Sequence, residues 1–179
     1  MEYIIHWTSH SKWQEIQKHG MLLPKTEPFP PDNYVDISDR VRKIATSESY
    51  LVGIPEQSID GYINCGLGER LMELTSPDVR LRVPILKSDG VFVRELVHLS
   101  PQHLRKLYGD DFIEELKRNF VFSSVRDSRL RNAFSQYIES AIELKKYKGQ
   151  FEVPEIWLPQ ETLINLIEAE LNPTPLVRF

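Results

Sequence analysis

The sequence predicts a single α+β domain over residues 1–179, built on a mainly antiparallel sheet with helices around it. Three observations predict it. Short runs of aromatic and β-branched residues recur along the chain between turn signals, amphipathic stretches of helical period occupy the second half, and no linker, repeat or low-complexity tract divides them. A chain of 179 residues, 41% hydrophobic and 27% charged, buries one sizeable core and is short for two ordinary domains.

The elements follow in order. "YIIHW" (Tyr3 to Trp7) is rich in aromatic and β-branched residues and reads as a strand. A helix follows: Ser11 and Gln14 have capping-box spacing, Trp13 and Ile16 recur at a helical interval, and Gly20 stands where a left-handed cap ends a helix. Residues 24–40, "PKTEPFPPDNYVDISDR", hold four prolines and little periodicity, which predicts an extended exposed loop. "GYINC", "VRLRVPIL" and "VFVRELVHL" read as the middle of the sheet, with "KSDG" as the turn between the last two. Ser100 before Pro101 starts the helix "PQHLRKLYG", and "DDFIEELKRNF" reads as another. The strongest helical pattern runs from Asp127 to Tyr147 through Leu130, Phe134, Tyr137, Ile138, Ala141, Ile142 and Lys145, with Gly149 as its stop. "QFEVPEIWL" returns to strand composition, and Pro154 in it predicts an edge strand or a bulge.

Composition narrows the function. A net charge of −4 calls for neither a polyanionic partner nor a membrane surface. No stretch approaches the roughly 20 apolar residues of a bilayer span and no leader pattern opens the chain, so a protein without a membrane partner is expected. The single cysteine, Cys65, cannot form an internal disulfide and reads as a small buried hydrophobe, which fits a reducing, cytoplasmic setting. Neither common Gly-rich phosphate loop is present. His6 and His10 are four apart, but a strand running into a turn does not put both rings on one face, so no metal site is expected.

Two segments carry a resemblance. "HWTS", followed by a helix and "HGMLL", resembles the opening of ADP-ribosyltransferase folds, where a strand carries His-x-Thr and the next helix ends in a Gly-Leu step. "QFEVPEIWLPQETLI" resembles the closing motif of that superfamily, Gln-x-Glu on a strand followed by a proline and a short apolar segment. DarT-like ADP-ribosyltransferase toxins, which modify nucleic-acid bases, are the nearest group. The resemblance covers about forty residues at the two ends and lacks a clear arginine-bearing block of the DarT kind.

The resemblance implies a split sheet and an enzyme that takes NAD as substrate and transfers ADP-ribose to a macromolecular acceptor, nucleic acid among the candidates, as a toxin or defence component would. Breaking the bond between nicotinamide and ribose builds positive charge on the sugar, so a carboxylate nearby stabilises the transition state more than the ground state. Glu152 is the expected catalytic carboxylate. His6 would hold a ribose hydroxyl, the backbone of Trp7 the nicotinamide amide, Thr8 would brace the strand and Gln150 would accompany Glu152; Tyr34, Tyr50 and Tyr62 are candidates for stacking on nicotinamide. The loop over 24–40 would then cover the cofactor. Arg126, Arg129 and Arg131, with Lys145, Lys146 and Lys148, could grip phosphates of NAD or of a nucleic-acid acceptor; a solvated helix face is the more ordinary explanation. Strand alternation leaves Glu155 as the competing carboxylate, because Phe151, Val153, Glu155 and Trp157 share one face of a regular strand and Gln150 and Glu152 the other. Two further readings stand beside this one: an RNA 2'-phosphotransferase-like enzyme, whose family places basic residues where Gln150 and Glu152 stand, and a non-catalytic binding domain on the same fold.

Overall fold

The computed structural model describes residues 2–24, 51–58, 79–118 and 127–173. The loop over 25–40, together with Arg42, Tyr50, Tyr62, Cys65 and Arg126, lies outside the described residues.

The first strand, β1 (Tyr3–Thr8), leads into α1 (His10–His19), whose N-cap is Ser9 and not Ser11: the Ser9 hydroxyl accepts the Lys12 N–H at 3.2 Å. Gly20 closes the helix at φ 75°, the left-handed conformation its position predicts. β2 (Met21–Leu22) pairs with β8 (Thr162–Leu163) in a separate two-stranded sheet. The remaining strands are β3 (Leu51–Pro55), β4 (Val79–Pro84), β5 (Phe92–Glu95), β6 (Ile142–Glu143), β7 (Pro154–Leu158) and β9 (Glu168–Leu171). With β1 they form a seven-stranded sheet, order β6-β5-β7-β3-β1-β4-β9, antiparallel at every neighbouring pair. The architecture is mixed α+β with a mainly antiparallel sheet. β1 pairs with β4 over six positions, Tyr3 to Thr8, but with β3 at two, Ile4 with Pro55 and Ile5 with Ile54.

Three segments depart from expectation. The strand in "VFVRELVHL" stops at Glu95, and Leu96–Leu99 coils into a 3-10 turn whose first free amide, that of Val97, is taken by the Glu95 carboxylate at 3.3 Å. The long helical pattern after Asp127 forms only α4 (Ser128–Glu139). Ile142 and Glu143 leave that pattern to pair with Val93 and Phe92 of β5, so the sheet edge outcompetes helix period there. β7 is an interior strand between β5 and β3, with Pro154 as its first residue, where a missing N–H removes no ladder bond from the strand that follows. α2 (Pro101–Tyr108) starts as predicted, with the Ser100 hydroxyl accepting the His103 N–H, and α3 (Asp110–Arg118) follows.

The sheet is buried on both faces. Ile5, Ile54, Trp157 and Val153 pack under Tyr137 and Ile138 of α4 and Leu96 of the 3-10 turn, while Ile4, Leu51, Leu81, Val83, Val93 and Ile156 pack on Trp13 and Ile16 of α1 and on Leu22. Leu104, Phe112, Ile113 and Ala133 join α2, α3 and α4 in a third cluster.

Candidate functional site

The β5–β7 register places Arg94 directly across from Glu155, and residues directly across an antiparallel pair share a face. That face is the one α4 covers. Trp157, next on it along β7, donates from Nε1 to Glu155 Oε2 at 3.2 Å and to Tyr137 Oη at 2.9 Å, and the Tyr137 hydroxyl donates to the same Glu155 oxygen. One carboxylate oxygen therefore takes two donors, while Oε1 takes neither of them. Arg94, 1% exposed, lies over the Trp157 ring at 3.8 Å and 5.7 Å from the Tyr137 ring. Its Nε and Nη2 are buried without a hydrogen-bond partner among the described residues.

The electrostatics follow from that packing. Burial pushes the Glu155 carboxyl above the usual carboxylate range, opposed by the bonds from Tyr137 and Trp157 and by the charge on Arg94. Burial, and then the neighbouring Glu155 charge, raise the Tyr137 phenol well above its ordinary value, so it stays a neutral donor. A half-buried carboxylate fixed by two donors, beside a buried guanidinium and two aromatic rings, is suited to stabilising positive charge or accepting a proton on a bound substrate.

A second carboxylate holds this strand in place. Glu95, 8% exposed, accepts the amides of Glu152 at 2.8 Å and Val153 at 3.0 Å as well as that of Val97, and its own amide donates to Ser140 Oγ at 2.8 Å. The chain just ahead of β7 is thus bonded to a side chain and not to a strand.

This corrects the expected placement of Gln150 and Glu152, neither of which lies on a strand. Both are exposed; Gln150 Oε1 accepts the Lys148 amide at 2.7 Å, and Glu152 sits in the bend before Pro154. His6 and Thr8 alternate with Trp7 on β1: His6 pairs with Leu81 and Thr8 with Val79, on the face packed by α1, and His6 Nδ1 bonds Val52 O at 2.8 Å. β3 separates β1 from β7, so a cleft lined by His6 and Glu152 as strand neighbours is not formed. Trp7 is the residue of the opening motif on Glu155's face, packed against the Ile5, Ile54 and Trp157 cluster. Tyr34 and Tyr50 lie outside the described residues. Of the basic residues, Arg129 is matched by Asp127 and Glu115, Lys145 by Asp89 and Lys146 by Glu143, as a solvated helix or turn surface requires.

Arg94, Glu95 and Tyr137 escaped sequence reasoning, although one signal was present. In "VFVRELV" strand alternation puts Arg94 on the same side as Phe92, an inward cation, and a buried cation is a rare thing for a sheet to hold without a use. Comparison with protein-family models, with curated proteins and with solved structures finds no match to this chain. Among the described residues no helix is long and apolar enough to cross a membrane.

Proposed function

We propose that the chain is an NAD-dependent ADP-ribosyltransferase that works through Glu155, transferring ADP-ribose to a macromolecular acceptor. The observation that supports this is the Glu155 carboxylate itself, held by Tyr137 and Trp157 on β7, the strand that follows Gln150 and Glu152, and facing the same side of the sheet as Trp7 of the opening motif. In the reaction the bond from ribose C1 to the nicotinamide nitrogen breaks with its electron pair going to nicotinamide. The acceptor nucleophile bonds to C1 and its proton passes to Glu155 or to water. His6 has no part in this reading, because it faces the other side of the sheet. Nucleic acid as acceptor, and a role as toxin or defence component, rest on the DarT-like resemblance alone.

Release of nicotinamide from NAD, with and without cell RNA, DNA or protein, tests the reading. Glu155→Gln is expected to lower turnover by about 10²- to 10³-fold, the loss of one transition-state electrostatic contact, while Glu152→Gln leaves it within about twofold. Turnover unchanged by Glu155→Gln overturns the assignment. Release of a 2'-phosphate from RNA in place of nicotinamide would favour the phosphotransferase. The binding-domain reading draws on the mutual satisfaction of Tyr137, Trp157 and Glu155, and it wins if NAD raises the unfolding midpoint without being consumed.

A further inference from the structure

We propose that Arg94 is a positioning residue that keeps Glu155 ionised and oriented from beneath, without itself touching substrate. The inference rests on the reading of Glu155 as the working carboxylate, but its physical content stands on geometry. Arg94 lies directly across the β5–β7 ladder from Glu155, on the same face, and is 1% exposed. Its guanidinium lies over Trp157, 3.8 Å from the ring centre, and the Nε1 of that ring donates to the Glu155 carboxylate. Arg94 Nε and Nη2 are buried and meet no acceptor among the described residues.

A buried guanidinium with two nitrogens lacking acceptors among the described residues is costly, and burial also closes it to a substrate. What remains is its field. In a poorly screened interior a buried cation acts strongly on an anion across a single strand spacing. The groups facing Glu155 leave Arg94 as the one cation among the described residues: β3 offers Val52 and Ile54 on this face, α4 offers the neutral Tyr137 hydroxyl, β7 offers Trp157, and the nearby Glu95 carboxylate is turned to the amides of residues 152 and 153. Stacking on Trp157 also fixes the indole that orients Oε2, so one side chain sets both the charge state and the direction of the carboxylate.

The test is the titration of Glu155 in the full chain, followed by NMR of 13C-labelled glutamate carboxyls and assigned by the signal lost in Glu155→Gln. Arg94→Met removes the charge while keeping an apolar side chain to fill the site; Arg94→Lys keeps the charge and loses the flat stacking surface. The Glu155 midpoint is expected to move to higher pH in Arg94→Met and to return toward the native value in Arg94→Lys. With NAD, turnover by Arg94→Met at pH 6 should fall by about tenfold more than at pH 8, the signature of a lost ionising partner. An unmoved midpoint in Arg94→Met overturns the inference, and so does a midpoint that moves equally in Arg94→Lys. If Arg94→Met does not fold, the Arg94→Lys titration and pH profile decide, because loss of the ion–ring stack with retained charge must leave the midpoint near native. A shifted midpoint in a protein that never consumes NAD removes the transferase reading and leaves the inference standing.

Discussion

At the scale of single residues, Glu155 shows burial working against ionisation. Its native carboxyl titrates above the ordinary 4.5 because burial disfavours the charged form. The folded chain therefore binds that proton more tightly than the unfolded chain, and stability falls as pH rises from the unfolded value through the native one. Glu155→Gln removes the liability while keeping an oxygen for the Tyr137 hydroxyl. Its melting temperature is expected to gain on wild type between pH 4 and pH 7; a difference that does not change with pH would mean that the carboxylate is fully solvated. The same residue shows what the sequence could and could not reveal. Alternation correctly put Glu155 and Trp157 on one face, yet it also put Phe151 there, and Phe151 packs with Tyr147 on the opposite side. The break in parity comes from bonds to Glu95, 57 positions away in sequence from Glu152, and no local pattern announces a partner that distant.

At the scale of elements, Glu95 joins three pieces: the end of β5, the 3-10 turn and the approach to β7. Replacing it by alanine leaves the amides of Glu152, Val153 and Val97 without their acceptor, a loss of roughly 2 to 4 kcal/mol expected in urea unfolding. Glu95→Gln, which keeps one acceptor oxygen, should lose less. The 3-10 turn has a second sensitivity. His98 meets His103 of α2 edge to face at 5.5 Å, His98 Nδ1 and His103 Nε2 lack partners among the described residues, and burial, then the His103 charge, hold His98 below its usual 6.5. A base that protonates more readily when unfolded loses stability for the fold as pH drops below about 6.5. His98→Phe should flatten that acid-side decline in melting temperature; an unchanged slope would place the sensitivity elsewhere. Caps and turns were the legible part here, since the Ser100 hydroxyl and the backbones of Pro101 and Gly20 act within a few residues of themselves. The end of α4 was not, because Ile142 and Glu143 answer to β5 and not to their neighbours in sequence.

At the scale of the whole molecule, the sheet has a narrow seam in its middle. β4 and β9 hang on β1, β7, β5 and β6 hang on β3, and the two groups meet where β1 and β3 pair at two positions. Beyond Ile5 the place of further ladder bonds is taken by a side chain, His6 Nδ1 to Val52 O. Gly53 stands at the same level, and a Cβ there would lie 2.6 Å from Ile5 O and 3.0 Å from Ile4 Cδ1, so the close approach of the two strands requires glycine. His6, singled out in the sequence for a ligand, thus has a structural use that its His-x-Thr context did not show. The amides of the two-position β1–β3 ladder are expected to exchange faster than those of the six-position β1–β4 ladder, since sub-global opening starts where the fewest bonds must break. Gly53→Ala should destabilise by roughly 2 to 3 kcal/mol, because the clash is with backbone that cannot turn aside. His6→Ala should cost about 1 kcal/mol, one side-chain hydrogen bond, and should speed exchange at the seam while leaving the β1–β4 amides protected. If His6→Ala instead leaves exchange and stability untouched but abolishes NAD binding, His6 belongs to a site that wraps around the seam and its bond to Val52 is incidental.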